Sequence, residues 1–218
     1  MLLNSVKYPI EVMGTKERRD RERQETREKI LDAAREMFAT HGIEATTMRA
    51  IADRAEYTAA AIYHHFKDKD ALIIEMVHGD FRALGQQFVR FAQVPDPVER
   101  LRLIGLAYVE FAIQKPHHYT IMFMTRTPYC EPDFDRGNPE QDAYALLLHT
   151  VTEGIQQGRF RPELSDAEQL AQMMWASVHG LVSLQIAKCD DPWIHWRDLR
   201  ATSALSIEAM IRGILREA

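Results

Sequence analysis

The chain has 218 residues, room for one large domain or two small ones, and its hydrophobic fraction of 46% permits a substantial core. No run reaches the roughly 18–20 uninterrupted apolar residues of a membrane span. Glu110, Lys115, Arg126 and Arg159 break the candidates, and Lys7, Pro9 and Glu11 fall where a secretory leader would be apolar, so a cytoplasmic protein without a membrane segment is expected. A net charge of −5 argues against indiscriminate coating of nucleic acid but leaves room for a small DNA-binding face. Cys130 and Cys189 form no disulfide framework, zinc-finger spacing or redox pair. With only 10 glycines and 9 prolines among abundant Ala, Leu, Glu and Arg, the expected class is all-α, with about nine or ten helices.

Residues 1–25 read as a mobile arm, because the run KERRDRERQETRE from Lys16 to Glu28 mixes both charge signs and offers almost nothing to bury. After Thr26, Ile30, Ala33, Ala34, Met37 and Phe38 fall at helical spacing, and His41-Gly42 ends that helix. Thr47 can cap a second, short helix through Ala55, and Thr58 a third from Ala59 to His65, with Glu56-Tyr57 as the turn between them. A long helix from Lys69 to Ala92 follows, carrying Leu72, Ile73, Met76, Phe81, Leu84, Phe88 and Phe91.

Asp96-Pro97-Val98-Glu99 is a helix start, with cap, proline and carboxylate in sequence, and that helix should run to Lys115 before Pro116 stops it. His117 to Arg126 reads as a short helix and Thr127 to Gly137 as a loop. Asn138-Pro139 should open a helix to about Gly158, Ser165 one to about Lys188, and Asp191-Pro192 the last, to about Arg216.

Three short helices, the second and third joined by a tight turn, form a helix-turn-helix head of residues 26–70, followed by a helical body of residues 71–218. The run Thr26 to Ala34, then Phe38, His41-Gly42, Thr46-Thr47, Arg49, Ile51-Ala52 and Ile62-Tyr63-His64-His65-Phe66, with Lys67, Lys69 and Ala71-Leu72, resembles the tetracycline-repressor (TetR) family. In the body, Pro116 to Phe123 and Trp175-Ala176-Ser177-Val178-His179-Gly180-Leu181 resemble a C-terminal class of that family named for a tryptophan, histidine, glycine motif. The resemblance implies a homodimeric, cytoplasmic transcription regulator of the repressing kind. Such a protein binds double-stranded DNA at a palindromic operator, answers a small-molecule effector, and needs neither cofactor nor catalytic residues.

Carried over residue by residue, the resemblance assigns DNA contact to Thr46, Thr47, Arg49, Thr58, Ala59, Ala60, Ala61, Tyr63, His64 and Lys69. Hydroxyls, helix-start amides, a phenol and an ammonium are phosphate donors, while alanine methyls can touch thymine methyls. Base reading would rest on Arg49, Ala59, Ala61 and His64. Two departures stand out: Glu56 occupies the turn position usually held by glycine, and the alanine run leaves few hydrogen bonds for base recognition. Specificity is therefore expected to be partly shape-dependent. The first 70 residues carry 13 basic and 13 acidic side chains, so DNA binding requires asymmetric placement of charge, to which the arm could add Lys16, Arg18, Arg19, Arg21 and Arg23.

In the body, Phe88, Tyr108, Phe111, Met122, Phe123, Met174, Trp175 and His179 are the candidates for an apolar ligand pocket, each of which also reads as core. Tyr108 and His179 are the polar handles. Leu170, Met174, Leu181, Val182 and Gln185 on one helix, and Leu199, Thr202, Leu205, Ala209 and Met210 on the next, are the candidates for a four-helix dimer interface. His117-His118 with Cys130, and Cys189 with His195, lack a recognised metal spacing, and no nucleophile elbow, phosphate loop or H-E-x-x-H occurs, so neither a metal nor an enzyme is expected. Two alternatives stay open: a dimeric DNA-binding protein that answers no ligand, and a helical small-molecule-binding protein or enzyme whose head binds no DNA.

Overall fold

The computed structural model describes residues 15–128 and 136–216. Among these the chain is all-helical: α1 Thr15–His41, α2 Met48–Arg54, α3 Ala59–His65, α4 Lys69–Val89, α5 Pro97–Gln114, α6 Pro116–Tyr119, α7 Ala143–Gln156, α8 Ala167–Lys188 and α9 Leu199–Ile214. A π-helical turn, Thr120–Met124, continues α6. No helix among the described residues is long and apolar enough to cross a membrane. The chain divides between Lys69 and Asp70 into a head and a body.

The head starts earlier than its apolar pattern suggests. Residues 15–25, expected to belong to a mobile arm, are the opening turns of α1; residues 1–14 of that arm lie outside the described residues. The mixed charge that argued against burial supports the helix, through i,i+4 pairs Arg18–Glu22 and Arg21–Glu25 and the Gln24–Glu28 hydrogen bond. Farther along, α1 buries Ile30, Ala34 and Phe38, while α2 and α3 bury Ile51, Ala52 and Ile62. Gly42, at φ +83°, ends α1 in the left-handed region, and its amide bonds Phe38 O. Phe66 is buried, with the Arg27 guanidinium 4.5 Å from its ring centre and donating to His65 O at 2.7 Å, so it anchors the end of α3.

The turn between α2 and α3 explains the missing glycine. The Glu56 amide bonds Asp53 O and the Tyr57 amide bonds Ala52 O, a Schellman closure that puts Glu56 in the left-handed region at φ 62°. A side chain there costs about 1–2 kcal/mol, part of which glycine would lose again to unfolded-state entropy. Glu56→Gly is therefore expected to stabilise the head by about 0.5–1 kcal/mol, visible as a higher urea midpoint with unchanged slope.

In the body, α5 sits between α7, α8 and α9. Asp96 caps it by accepting from Val98 N, with Pro97 in the first turn as expected. Gly105 brings α9 close, since an added Cβ would lie 3.0 Å from Ile207 Cδ1. Arg102 on α5 bonds Glu208 on α9.

Three helix starts differ from expectation. α7 begins at Ala143, because Asn138 closes a turn by accepting from Gln141, Asp142 and Glu140 amides, and only the Asp142 carboxylate frees the chain to wind, accepting from Tyr144 and Ala145 N. α8 is capped by Asp166, which accepts from Gln169 N, in place of Ser165. α9 begins at Leu199, capped by Asp198; Asp191-Pro192 opens a turn that Trp196 closes by donating to Lys188 O. α4 ends at Val89, short of Ala92.

Candidate DNA-binding face and effector cavity

On the head, the caps of α2 and α3 are alike: Thr47 accepts from Ala50 N and Thr58 from Ala61 N, both at 3.2 Å, which keeps both hydroxyl protons available for an external acceptor. Both threonines are exposed, as are Arg49, Ala60, Tyr63 and His64, with Ala59 and Ala61 half-buried. Tyr63 is 55% exposed, unusual for an aromatic side chain with no partner surface of its own. Burial lowers the pKa of the neighbouring His65, with Arg27 adding to the effect, and leaves its Nδ1 without a hydrogen-bond partner.

Two expected DNA contacts are instead internal. The Thr46 side chain is buried and its hydroxyl donates to Gly42 O at 2.8 Å. The Lys69 ammonium donates to Ile43 O at 2.9 Å and Thr46 O at 3.2 Å, tying down the turn before α2. Both residues supply the geometry of the face. The type of residue was legible in the sequence, but the carbonyls of a turn compete with phosphates for the same donors.

The body holds a cavity whose space open to the centre of a water molecule is about 100 Å³, many times one such site. Of the candidate pocket residues, Phe88, Tyr108, Phe123, Met174 and Trp175 line it, whereas Phe111 and Met122 are packed in the core and His179 stands behind the wall. Its other walls come from Phe81 and Leu84 on α4, Leu101, Ile104 and Gly105 on α5, Tyr144 and Leu147 on α7, and Val178, Ile207 and Met210 on α8 and α9. Sequence reasoning missed these because a leucine or isoleucine lining a cavity has the same periodicity as one filling a core.

Phe123 on the π-helical turn is the hub of the wall. Its ring lies 5.1–6.0 Å from those of Phe81, Tyr108, Tyr119, Trp175 and His179. Behind it lies a hydrogen-bonded cluster: Trp175 Nε1 donates to Tyr108 Oη at 3.1 Å, Tyr108 Oη stands 3.1 Å from both Tyr119 Oη and His179 Nδ1, and Tyr119 Oη stands 2.6 Å from His179 Nδ1. An indole can only donate, so Nδ1 must accept. Protonating His179 would strand one hydroxyl proton without an acceptor in the cluster. Burial lowers the His179 pKa accordingly, and raises that of Tyr108 to about 12.

The sign of the linkage follows. Below about pH 6.5 the unfolded chain takes up a proton at this position that the folded chain resists, so stability falls as pH drops through the ordinary histidine range. His179→Asn keeps an acceptor for Tyr119 and removes the titration. The loss of melting temperature between pH 7.5 and 5.5 is expected to be smaller in the variant than in the parent; equal losses would mean that His179 is not held neutral. His65 contributes in the same sense to both proteins and cancels in the comparison.

The expected dimer residues divide. Leu170, Met174 and Val182 are buried in the subunit's own core, and Met174 and Met210 line the cavity, so they cannot present an outer face. Leu181, Gln185, Leu199 and Thr202 are half-buried; Leu205, at 74% exposure, and Ala209 are open. The outward apolar stripe of α8 lies one residue over, at Met173, Ala176, Gly180 and Leu184. Among the described residues no group of three His, Cys, Asp or Glu side chains could hold a metal ion, and the suggested partner Cys130 lies outside them.

Residues 30–76 match the family of bacterial regulatory proteins of the tetR type, and residues 101–192 match the tetracyclin repressor-like C-terminal domain. The chain is 34% identical over 147 residues to the HTH-type transcriptional repressor KstR2 of Mycolicibacterium smegmatis, an alignment covering 63% of this chain and 69% of the relative. It is 27% identical over 207 residues to the HTH-type transcriptional regulator UidR of Escherichia coli, covering 89% and 95%. Its fold is that of the ketosteroid transcriptional regulator KstR2 of Mycobacterium tuberculosis, with TM-score 0.65 at 21% identity over 88% of this chain and 95% of that one. A helix-turn-helix head, a cavity-bearing helical body and these matches over both parts place the chain in the TetR family of DNA-binding transcriptional regulators.

Proposed function

We propose that this regulator is a homodimeric repressor that holds a two-fold symmetric operator when empty and leaves it when a small apolar molecule fills the body cavity. The observation that carries the reading is the cavity itself, an aromatic-walled space in a body that dimerisation alone would not require to be hollow. The head supplies an exposed set for DNA: Thr47 and Thr58 at helix starts, Arg49, Ala60, Tyr63 and His64. Thr46 and Lys69 act by holding that set in place.

The dimer face is the outer stripe of α8 with Ala201, Leu205 and Ala209 of α9, all exposed. Gly180 in that stripe has open space where a Cβ would stand, which suits close packing against a second copy. A two-fold dimer presents two recognition helices, and so favours a palindromic site. Coupling is assigned to α4, which begins at the head's Lys69 and carries the cavity residues Phe81 and Leu84, so that an occupant displacing Phe81 shifts the equilibrium between two states of one helix.

A fluorescence-anisotropy titration against the DNA upstream of the chain's own gene, at low and at physiological salt, tests this reading. The expected result is saturable binding of two chains per site that survives competitor DNA and weakens steeply with salt. Failure to bind any duplex at either salt would defeat the proposal.

A further inference from the structure

The cavity's polar inventory narrows what it can hold. Tyr108, Tyr144 and Trp175 are its side-chain hydrogen-bond donors, and each proton is already committed: Trp175 to Tyr108, Tyr108 to the Tyr119–His179 pair, and Tyr144 to Glu168 Oε2 at 2.5 Å. Among the described residues no Lys, Arg or His lines the space, and the charged residue that does is Asp142, whose Oδ1 caps α7 and whose Oδ2 accepts only a long 3.3 Å bond from Gly137 N. The start of α7, where free amides could otherwise receive an anion, is taken by that same carboxylate, which accepts from Tyr144 and Ala145 N. An anionic ligand would enter with its charge unpaired and meet a carboxylate.

A cation meets the opposite conditions. Tyr144 and Trp175 have ring centres 5.9 Å apart next to Asp142, and Phe81, Phe123 and Tyr108 continue the aromatic wall. Ring faces attract a cation without giving up a hydrogen bond, which suits a site whose side-chain donors are all spent. From this inventory, and resting on the reading of the cavity as the effector site, we propose that the ligand is a lipophilic monocation. It is an aryl or alkyl body carrying a quaternary or protonated amine, with the charge at the Asp142 end against the Tyr144 and Trp175 rings.

The test uses the full chain and three probes of similar shape: benzyltrimethylammonium, its neutral carbon isostere neopentylbenzene, and the anion 3-phenylpropanoate, each titrated by intrinsic tryptophan fluorescence. The cation is expected to bind about tenfold more tightly than the neutral probe, with the anion weakest. Asp142→Asn, which keeps an acceptor for the Tyr144 and Ala145 amides and gives up only the 3.3 Å bond from Gly137 N, is expected to lose about that tenfold for the cation and nothing for the neutral probe. A neutral probe that binds as tightly as the cation, or an anion that binds more tightly, overturns the charge assignment while leaving the cavity as the site. Binding of none of the three overturns the cavity reading as well. Cation binding that survives Met210→Trp, which fills the space, places the site elsewhere and likewise overturns the proposal.

Discussion

Replacing Arg49 and Tyr63 together by alanine is expected to lower operator affinity about a hundredfold while leaving the melting temperature of the protein within a degree or so. Both side chains are exposed, so truncation creates no cavity. Each is placed to contribute one contact worth about 1–2 kcal/mol, and two together amount to about 3 kcal/mol, or two decades in Kd. The two contacts differ in kind. Arg49→Ala alone is expected to flatten the log–log dependence of affinity on salt by about one, because one released counterion is lost, whereas the uncharged Tyr63 leaves the slope unchanged. The internal residues give the reverse signature. Thr46→Val leaves Gly42 O without its donor, and Lys69→Met leaves Thr46 O without its donor and Ile43 O with the Thr46 amide alone, so each is expected to cost about 1–3 kcal/mol of stability. Parallel urea unfolding and anisotropy titrations separate the two classes. An Arg49→Ala, Tyr63→Ala double variant that binds as the parent does would remove this face from the DNA interface.

That contrast marks what the sequence can express. Helix content, the three helices of the head and the start of α5 follow from local chemistry: cap residues, Pro97 after Asp96, and apolar spacing at 3.6. The starts of α7 and α9 were misplaced because Asn138-Pro139 and Asp191-Pro192 are equally good turn formers, and tertiary packing chooses between the two uses. At Gly85 an added Cβ would stand 2.6 Å from Gln141 O, so α4 presses on the residues just before α7. The outward apolar stripe of α8 falls one residue from the expected one for a related reason. α8 is apolar on both faces, Leu170, Met174, Val178 and Val182 inward and Met173, Ala176 and Leu184 outward, and periodicity cannot say which face meets the subunit's own core. Aromatic residues of the cavity were visible as a class. That Phe123 stands in the wall and Met122 in the core is a feature of the π-helical turn carrying both, and no sequence rule announces that turn.

Arg100→Ala is expected to be the most destabilising of these substitutions in the body, at about 3–5 kcal/mol, a large share of the 5–15 kcal/mol that holds such domains folded. The Arg100 side chain is only 5% exposed; its Nε and Nη2 both donate to Val94 O, at 3.0 and 2.6 Å, and Nη1 reaches Glu153 Oε2 at 2.7 Å. One guanidinium thereby fixes the turn before α5 and joins α5 to α7, two helices that supply Leu101, Ile104, Tyr108 and Leu147 to the cavity. Removing it strips a half-buried carbonyl of both its donors and leaves a half-buried carboxylate without its cation. Glu153→Gln should cost far less, about 1 kcal/mol, because Glu153 is 29% exposed and Arg100 keeps both bonds to Val94 O. Urea unfolding of the two variants gives the ratio directly. Near-equal, small losses would mean that the charge pair carries what little coupling exists and that the carbonyl bonds are dispensable; the large asymmetry expected here would mean that Arg100 acts first as a clamp on backbone. In that case Arg100→Ala should also weaken binding of any cavity probe, although Arg100 does not line the cavity, since the spacing of α5 and α7 is what keeps the space open.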